Sequence, residues 1–202
     1  MSSDPVVAIT EPASVSSGEP PRNRRQEETF RKVLAAGREM LRETSYADLT
    51  VRAVAARAQV APATAYTYFS SKNHLIAEVY FDLLKQVPYF TDVNQPMTQR
   101  VEQTLRSMTL AVADEPEVAA ACTTALLSGT DAAVRRVRDR IGAEIHRRIQ
   151  SALGPNTDPR VGSALEMTFF GALVNAGSGA FTYHQTADRL SYVVGLILGE
   201  DK

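Results

Sequence analysis

The chain has no tryptophan and one cysteine, Cys122, among 202 residues. A single thiol can form neither an intrachain disulfide nor a cysteine zinc cluster, so neither can staple the fold. Such sparing use of cysteine fits a reducing compartment, and a cytoplasmic protein is the expectation. No apolar run approaches the roughly 18 residues of a membrane span, so no membrane partner is expected. The net charge of −1 selects no partner by itself. Nucleophile–base pairs, phosphate loops and metal-ligand clusters are missing from the sequence, which argues against an enzyme and gives no cofactor. Aromatic side chains are scarce, with seven Phe and seven Tyr, so a local cluster of them carries information.

What is present is unevenly placed. Residues 1–21 hold three acidic side chains and no basic one. Residues 22–72 hold ten Lys and Arg against five Asp and Glu, a net of +5, and residues 73–202 hold twelve against fifteen, a net of −3. A basic module on an otherwise acidic chain is the footprint of a polyanion partner, although an Arg-rich helix surface gives the same count. The segment MSSDPVVAITEPASVSSGEPP lacks the basic start and apolar centre of a signal peptide. Its Pro, Ser, Glu and Gly content predicts a disordered tail over 1–21.

From Arg22 onward the apolar periodicity is helical, which predicts an all-α protein of about nine helices. Phe30, Val33, Leu34 and Leu41 mark a first helix at about 23–43. Thr50 caps a second at about 51–58, with Val51, Val54, Ala55 and Ala58 inward. Pro62 opens a third, where its missing N–H costs nothing, and that helix ends near Phe69. Ser70 or Ser71 caps a fourth, striped by Leu75, Ile76, Val79, Leu83 and Leu84. A proline-bounded break at 88–96 precedes a fifth helix at about 97–113. Asp114 caps a sixth, and Val134, Val137, Ile141, Ile145 and Ile149 stripe a seventh. The eighth, about 159–182, and the ninth, about 186–198, are apolar over wide arcs. Such helices are buried on more than one side, either centrally or against another chain. In the second case Leu165, Ala172, Ala176, Leu190, Val194 and Ile197 form the interface of a homodimer, and Gly171, Gly177 and Gly179 let backbones approach.

The stretch TVRAVAARAQVAPATAYTYFSSK, residues 50–72, has the ingredients of a helix-turn-helix. In that motif the second helix enters the major groove by its amino-terminal end. Pro62, Ala63 and Thr64 are small enough for close approach, and Thr64 offers both a hydrogen bond and a methyl group to base edges. Tyr66 and Tyr68 carry hydroxyls on rigid stems that reach phosphate oxygen. Lys72 adds its charge at the start of the fourth helix, and Arg22, Arg24 and Arg25 can track the backbone.

YADLTVRAVAARAQVAPATAYTYFSSKNHLI, residues 46–76, resembles the helix-turn-helix signature of the tetracycline-repressor (TetR) family of transcriptional regulators. The matching positions are Thr50, Val54, Ala55, Ala58, Val60, Thr64, Tyr66, Tyr68, Phe69, Ser71, Lys72 and Leu75, and the resemblance runs from Arg24 to Leu84. It implies a DNA-binding domain at 22–70 and a ligand-binding and dimerisation domain at 71–202. It further implies a homodimer joined through the last two helices, bound to a near-palindromic double-stranded DNA operator. A small-molecule effector then moves the fourth helix and releases the operator. Carried over, Arg52, Pro62, Ala63 and Thr64 are base-reading positions, and Thr50, Tyr66, Tyr68 and Lys72 contact phosphate. Three positions depart from the pattern. Gln59 stands where glycine is usual, which costs energy if φ there is positive. Ala61 replaces the serine cap, a loss of roughly 1 kcal/mol. Ala65 leaves less core volume under the recognition helix.

Tyr89, Phe90, Met108, Cys122, Leu126, Phe169, Phe170 and Tyr183 supply adaptable apolar surface for an effector pocket, with Asn175 as its orienting amide. His74 and Glu78, four apart, read as an exposed pair rather than a metal site. Arg135, Arg136, Arg138 and Arg140, with Asp139 among them, read as a solvated face rather than a second nucleic-acid site. The reading is thus a ligand-responsive regulator that represses. The rivals are a dimeric binding module whose helix-turn-helix no longer reads DNA, and a small all-α enzyme. The intact basic segment with Thr64, Tyr66 and Lys72 favours DNA.

Overall fold

Nine α-helices and no strand are formed by the residues that the computed structural model describes, 23–199. The expected tail at 1–21 and Arg22 lie outside the described residues. The helices are α1 (Arg24–Glu43), α2 (Val51–Arg57), α3 (Pro62–Tyr68), α4 (Lys72–Gln86), α5 (Met97–Leu110), α6 (Pro116–Ser128), α7 (Ala132–Leu153), α8 (Pro159–Gly177) and α9 (Tyr183–Leu198). Local chemistry sets most of the starts. Asn23 and Gln26 form a reciprocal capping box at α1, and Thr182 and Gln185 form another at α9. Thr50, Ser71 and Asp131 each accept a backbone N–H at the starts of α2, α4 and α7.

Three expected boundaries move. Helix α5 stops at Leu110 instead of 113, and the residue at the N-cap of α6 is Glu115, not Asp114. Glu115 makes no side-chain cap because its carboxylate is held by arginines of α1. Helix α8 ends at Gly177 rather than near 182, so α9 begins at Tyr183. Gly179, at φ +79°, closes α8: its N–H bonds Ala176 O at 3.0 Å and the Ala180 N–H bonds Asn175 O at 3.1 Å. That is a Schellman ending, which requires a left-handed residue.

Helix α2 ends by the same motif with a different residue. The Val60 N–H bonds Ala55 O at 2.9 Å, the Gln59 N–H bonds Ala56 O at 3.1 Å, and Gln59 sits at φ +54°. Two orphan carbonyls are satisfied, but a residue with a Cβ occupies the left-handed position.

Helices α1, α2 and α3 pack around Phe30, Val33, Leu34, Val54, Ala55, Ala65 and Phe69, all buried. The Phe30 and Phe69 rings stack with centroids 5.0 Å apart, and Tyr68 meets Phe30 edge-on at 6.2 Å. Helix α4 packs against α1 on one side and α6 and α7 on the other, burying every residue from His74 to Phe81. Helix α5 lies on α7 and α9, and α8 on α7 and α9. Close approach of α8 to α6 depends on Gly177, where a Cβ would collide with Thr123.

Gln59→Gly is expected to raise stability by about 0.5–1 kcal/mol. The left-handed conformation costs an L-residue roughly 1–2 kcal/mol, and the added freedom of glycine in the unfolded chain offsets part of that. Urea unfolding measures it; an unchanged or lower midpoint would show that no strain resides at residue 59.

Candidate nucleic-acid interface

Helix α3 is only two turns long, and its residues divide sharply. Ala65 and Phe69 are fully buried, whereas Pro62, Ala63, Thr64 and Thr67 are exposed and Tyr66 is 50% exposed. Ala61 at its N-cap makes no side-chain bond, so that end of the helix is open, as its sequence predicts. Arg52 is exposed on α2, and Arg24 and Arg25 are exposed at the start of α1. Thr50 accepts from the Ala53 N–H at 3.1 Å, which leaves its hydroxyl proton available to an acceptor. Tyr68 is half-buried against Phe30, so packing claims part of its surface.

Lys72 is engaged within the protein. Its ammonium donates to Tyr46 O at 2.8 Å and Ala47 O at 3.3 Å, and lies 4.3 Å above the Tyr46 ring. The Tyr46 hydroxyl donates to Asn73 Oδ1. The first turn of α4 therefore grips the connection between α1 and α2. An ammonium has three N–H donors, so one remains for an external anion. Sequence reasoning missed Tyr46 and Asn73, since nothing local shows that a loop 26 residues upstream folds onto Lys72.

Two further clusters fix this assembly. Glu115 accepts from Arg38 Nε at 3.1 Å and from Arg42 Nε and Nη2 at 3.0 and 2.8 Å, tying α1 to the start of α6. Hydrogen bonds from Arg38 and then Arg42 hold its carboxyl down to about 2. His74 and Glu78, expected on an exposed face, are buried at 8% and 3% exposure. Phe69 lies beside the imidazole and Arg140 of α7 covers the carboxylate at 2.5 Å. The Ser70 N–H donates to His74 Nδ1 at 3.2 Å, which puts the ring proton on Nε2, 3.8 Å from Glu78. Burial opposes ionisation of Glu78, but His74 and Arg140 outweigh it and its pKa is lowered.

Residues 33–79 match the family described as bacterial regulatory proteins, tetR family. Over 204 aligned residues the chain is 70% identical to an HTH-type transcriptional regulator of Mycobacterium tuberculosis, covering 98% of this chain and 94% of that protein. The chain belongs to the TetR family. A TetR transcriptional regulator from Rhodococcus sp. RHA1 has the same fold, with a TM-score of 0.75 at 21% identity over 89% of this chain and all of that one. FadR of Bacillus subtilis, solved in complex with stearoyl-CoA, gives 0.55 at 12% identity over 82% and 97% of the two chains. At such identities these two structures speak for the fold alone.

The residues expected to line an effector pocket of this TetR-family regulator do not share one environment. Met108, Cys122 and Phe169 are buried in the core, and burial pushes the Cys122 thiol up to about 12. Phe90, Leu126 and Tyr183 are half-buried. Phe170 and Asn175 are exposed, and the Asn175 amide donates to Gly171 O at 2.9 Å, so both point away from the core. Tyr89 is 47% exposed and donates to Glu144 at 2.9 Å. Two buried hydroxyls absent from the expectation, Tyr80 and Thr186, have no hydrogen-bond partner among the described residues. Burial raises the Tyr80 pKa, with Cys122 and Tyr183 adding to the effect.

The expected interface also needs correction. Leu165, Leu190 and Val194 are buried within one chain with at most 2% of their surface exposed, and Ala176 keeps 6%. Ala172 and Ile197 are half-buried. The exposed apolar stripes are Met167, Phe170 and Val174 on α8, and Tyr192 and Leu196 on α9.

Because the folded-state pKa of Glu115 is depressed, its contribution is full above about 4.5 and is lost as pH falls toward 2. Glu115→Gln is expected to destabilise the protein at neutral pH, with the difference from the parent shrinking steadily below pH 4.5. Thermal melts across about pH 3–7 measure this; a gap independent of pH would remove the ionic clamp.

Proposed function

We propose that the chain is a homodimeric repressor that binds a near-palindromic operator and is released by a small apolar effector. The observation that carries this reading is the division of α3, whose small residues face outward on a base of fully buried Ala65 and Phe69. In this reading residues 22–70 read DNA, and residues 71–202 bind the effector and dimerise. Pro62, Ala63 and Thr64 let the helix start approach base edges closely, and Arg52 reaches in from α2. Arg24, Arg25, Thr50, Tyr66, Tyr68 and the remaining N–H of Lys72 meet phosphate oxygens.

The exposed stripes support the dimer. Met167, Phe170, Gly171 and Val174 follow one helical face of α8, and Tyr192, Gly195 and Leu196 follow the same spacing on α9. Nothing lies within 4 Å of a Cβ built on Gly171 or Gly195, so a second copy has room to approach there. A self-complementary patch of this kind suits a two-fold axis.

The unpaired Tyr80 hydroxyl, buried near Cys122 and Tyr183 of the expected pocket, supports an effector that is apolar but carries a neutral hydrogen-bonding group. A buried unpaired hydroxyl costs about 1–3 kcal/mol, which such a group would relieve. Pressure on α4 would pass to its first turn, where Lys72 and Asn73 hold the neighbouring loop, and so change the spacing of the two recognition helices.

Thr64→Ala is expected to relax preference at one base-pair position by about 1–3 kcal/mol, whereas Tyr66→Phe weakens all sequences alike. Competition binding on fragments selected from genomic DNA reads both; uniform weakening with Thr64→Ala would remove its base contact. Leu196→Asp, at an exposed position, is expected to convert the dimer to monomer in sedimentation velocity. A parent protein that sediments as a monomer would remove the interface altogether.

A further inference from the structure

Arg135, Arg136 and Arg138 line, with Ala132 and Asp139, a shallow groove of about 560 Å³ at the amino-terminal end of α7. Arg135 Nη1 donates to Thr130 O at 2.9 Å and Arg138 Nη2 to Gly129 O at 2.7 Å. These bonds fold both guanidinium groups back onto the turn before α7, the direction in which helix side chains lean in any case. The turn is tight because of glycine: a Cβ on Gly129 would lie 2.6 Å from Ala125 O and 2.7 Å from Val134 Cγ1. Arg136 is exposed and, among the described residues, has no ion pair.

The position of this turn matters more than its charge. Asp131 caps α7 with one carboxylate oxygen and accepts from Ser71 Oγ with the other, at 3.1 Å. Ser71 is the N-cap of α4, directly before Lys72 and one short turn after α3. The arginines are thus held level with the edge of the helix-turn-helix. Three guanidinium groups against the one carboxylate of Asp139 leave the groove positive, within a segment, 73–202, whose net charge is −3. Asp131, bonded by the neutral Val134 N–H and Ser71 hydroxyl, keeps its charge, so the end of α7 as a whole sets three guanidinium groups against two carboxylates. Each guanidinium has five N–H donors in a planar fork that fits phosphate, and the loop carbonyls take only one from Arg135 and one from Arg138.

We propose that the α7 arginine groove is an auxiliary phosphate-binding surface that widens the DNA interface beyond the helix-turn-helix, with Arg135 and Arg136 as its ligands. Arg138, half-buried, holds the turn. The proposal rests on the reading of this chain as a DNA-binding repressor.

The test uses the full-length protein, a duplex recovered by selection from genomic fragments, and fluorescence anisotropy over about 50–200 mM KCl. Arg135→Ala/Arg136→Ala, which removes four arginines from a dimer, is expected to flatten the slope of log K against log salt by about 3.6, at ~0.9 for each phosphate that is no longer neutralised, and to weaken binding at least ~tenfold. Melting temperature and base preference should stay as in the parent. Arg136→Glu, which leaves the Arg135 bond to the turn intact, should weaken binding further by repulsion. A slope equal to the parent's overturns the proposal. Altered base preference overturns it too, since the arginines would then act by shifting α3. A parent protein that binds no duplex in a salt-dependent way overturns the DNA reading itself, a result distinct from an unchanged slope in the variant.

Discussion

The stacking of Phe30 on Phe69, with centroids 5.0 Å apart, is the interaction on which the outward side of α3 depends. Seven residues form too few hydrogen bonds for a helix to persist alone in water, and this one also lacks a capping side chain. Its position is therefore imposed by what it buries. Ala65 and Phe69 anchor it from below, and the edge-on approach of Tyr68 to Phe30 limits its rotation. A helix fixed this way can present small side chains outward without needing them for its own stability.

From that anchor the constraints pass outward through α4. Phe69 touches the His74 ring, His74 faces Glu78, and Glu78 is covered by Arg140 of α7. In the other direction Lys72 and Asn73 hold the connection between α1 and α2. The Glu115 carboxylate closes the circuit by binding two arginines of α1 at the start of α6. Buried charges require partners, so these pairs leave few arrangements of α1, α4, α6 and α7 in which all are satisfied. Any displacement of α4 is thereby coupled to the loop beneath Lys72 and to the turn that carries the α7 arginines.

The helices were legible because their signals are local. Caps at Thr50 and Ser71, the proline at Pro62 and stripes such as Val134 to Ile149 need only neighbours a few residues away. The departures at Gln59 and Ala61 were legible too, and the backbone there is the left-handed and uncapped one those positions imply. Misplaced boundaries have local causes as well, but competing ones. Asp114 is the credible cap in sequence, but the helix begins one residue later, where Arg38 and Arg42 hold the Glu115 carboxylate. Asn175 looked like an inward amide because α8 is apolar on two sides, and the sequence does not label the sides.

By itself the sequence determined the all-α class, the helix-turn-helix frame, the small outward residues of α3 and the positive charge beside them. Each follows from periodicity, capping or residue chemistry within one or two turns of helix. Tertiary structure alone decided that Leu165, Leu190 and Val194 face inward while Met167, Tyr192 and Leu196 face out. It alone buried His74 with Glu78 and set Lys72 on the carbonyls of Tyr46 and Ala47. The physical reason is range. A helix with two apolar faces, or a charge whose partner lies 25 to 77 residues away, has no preferred environment until another element packs against it.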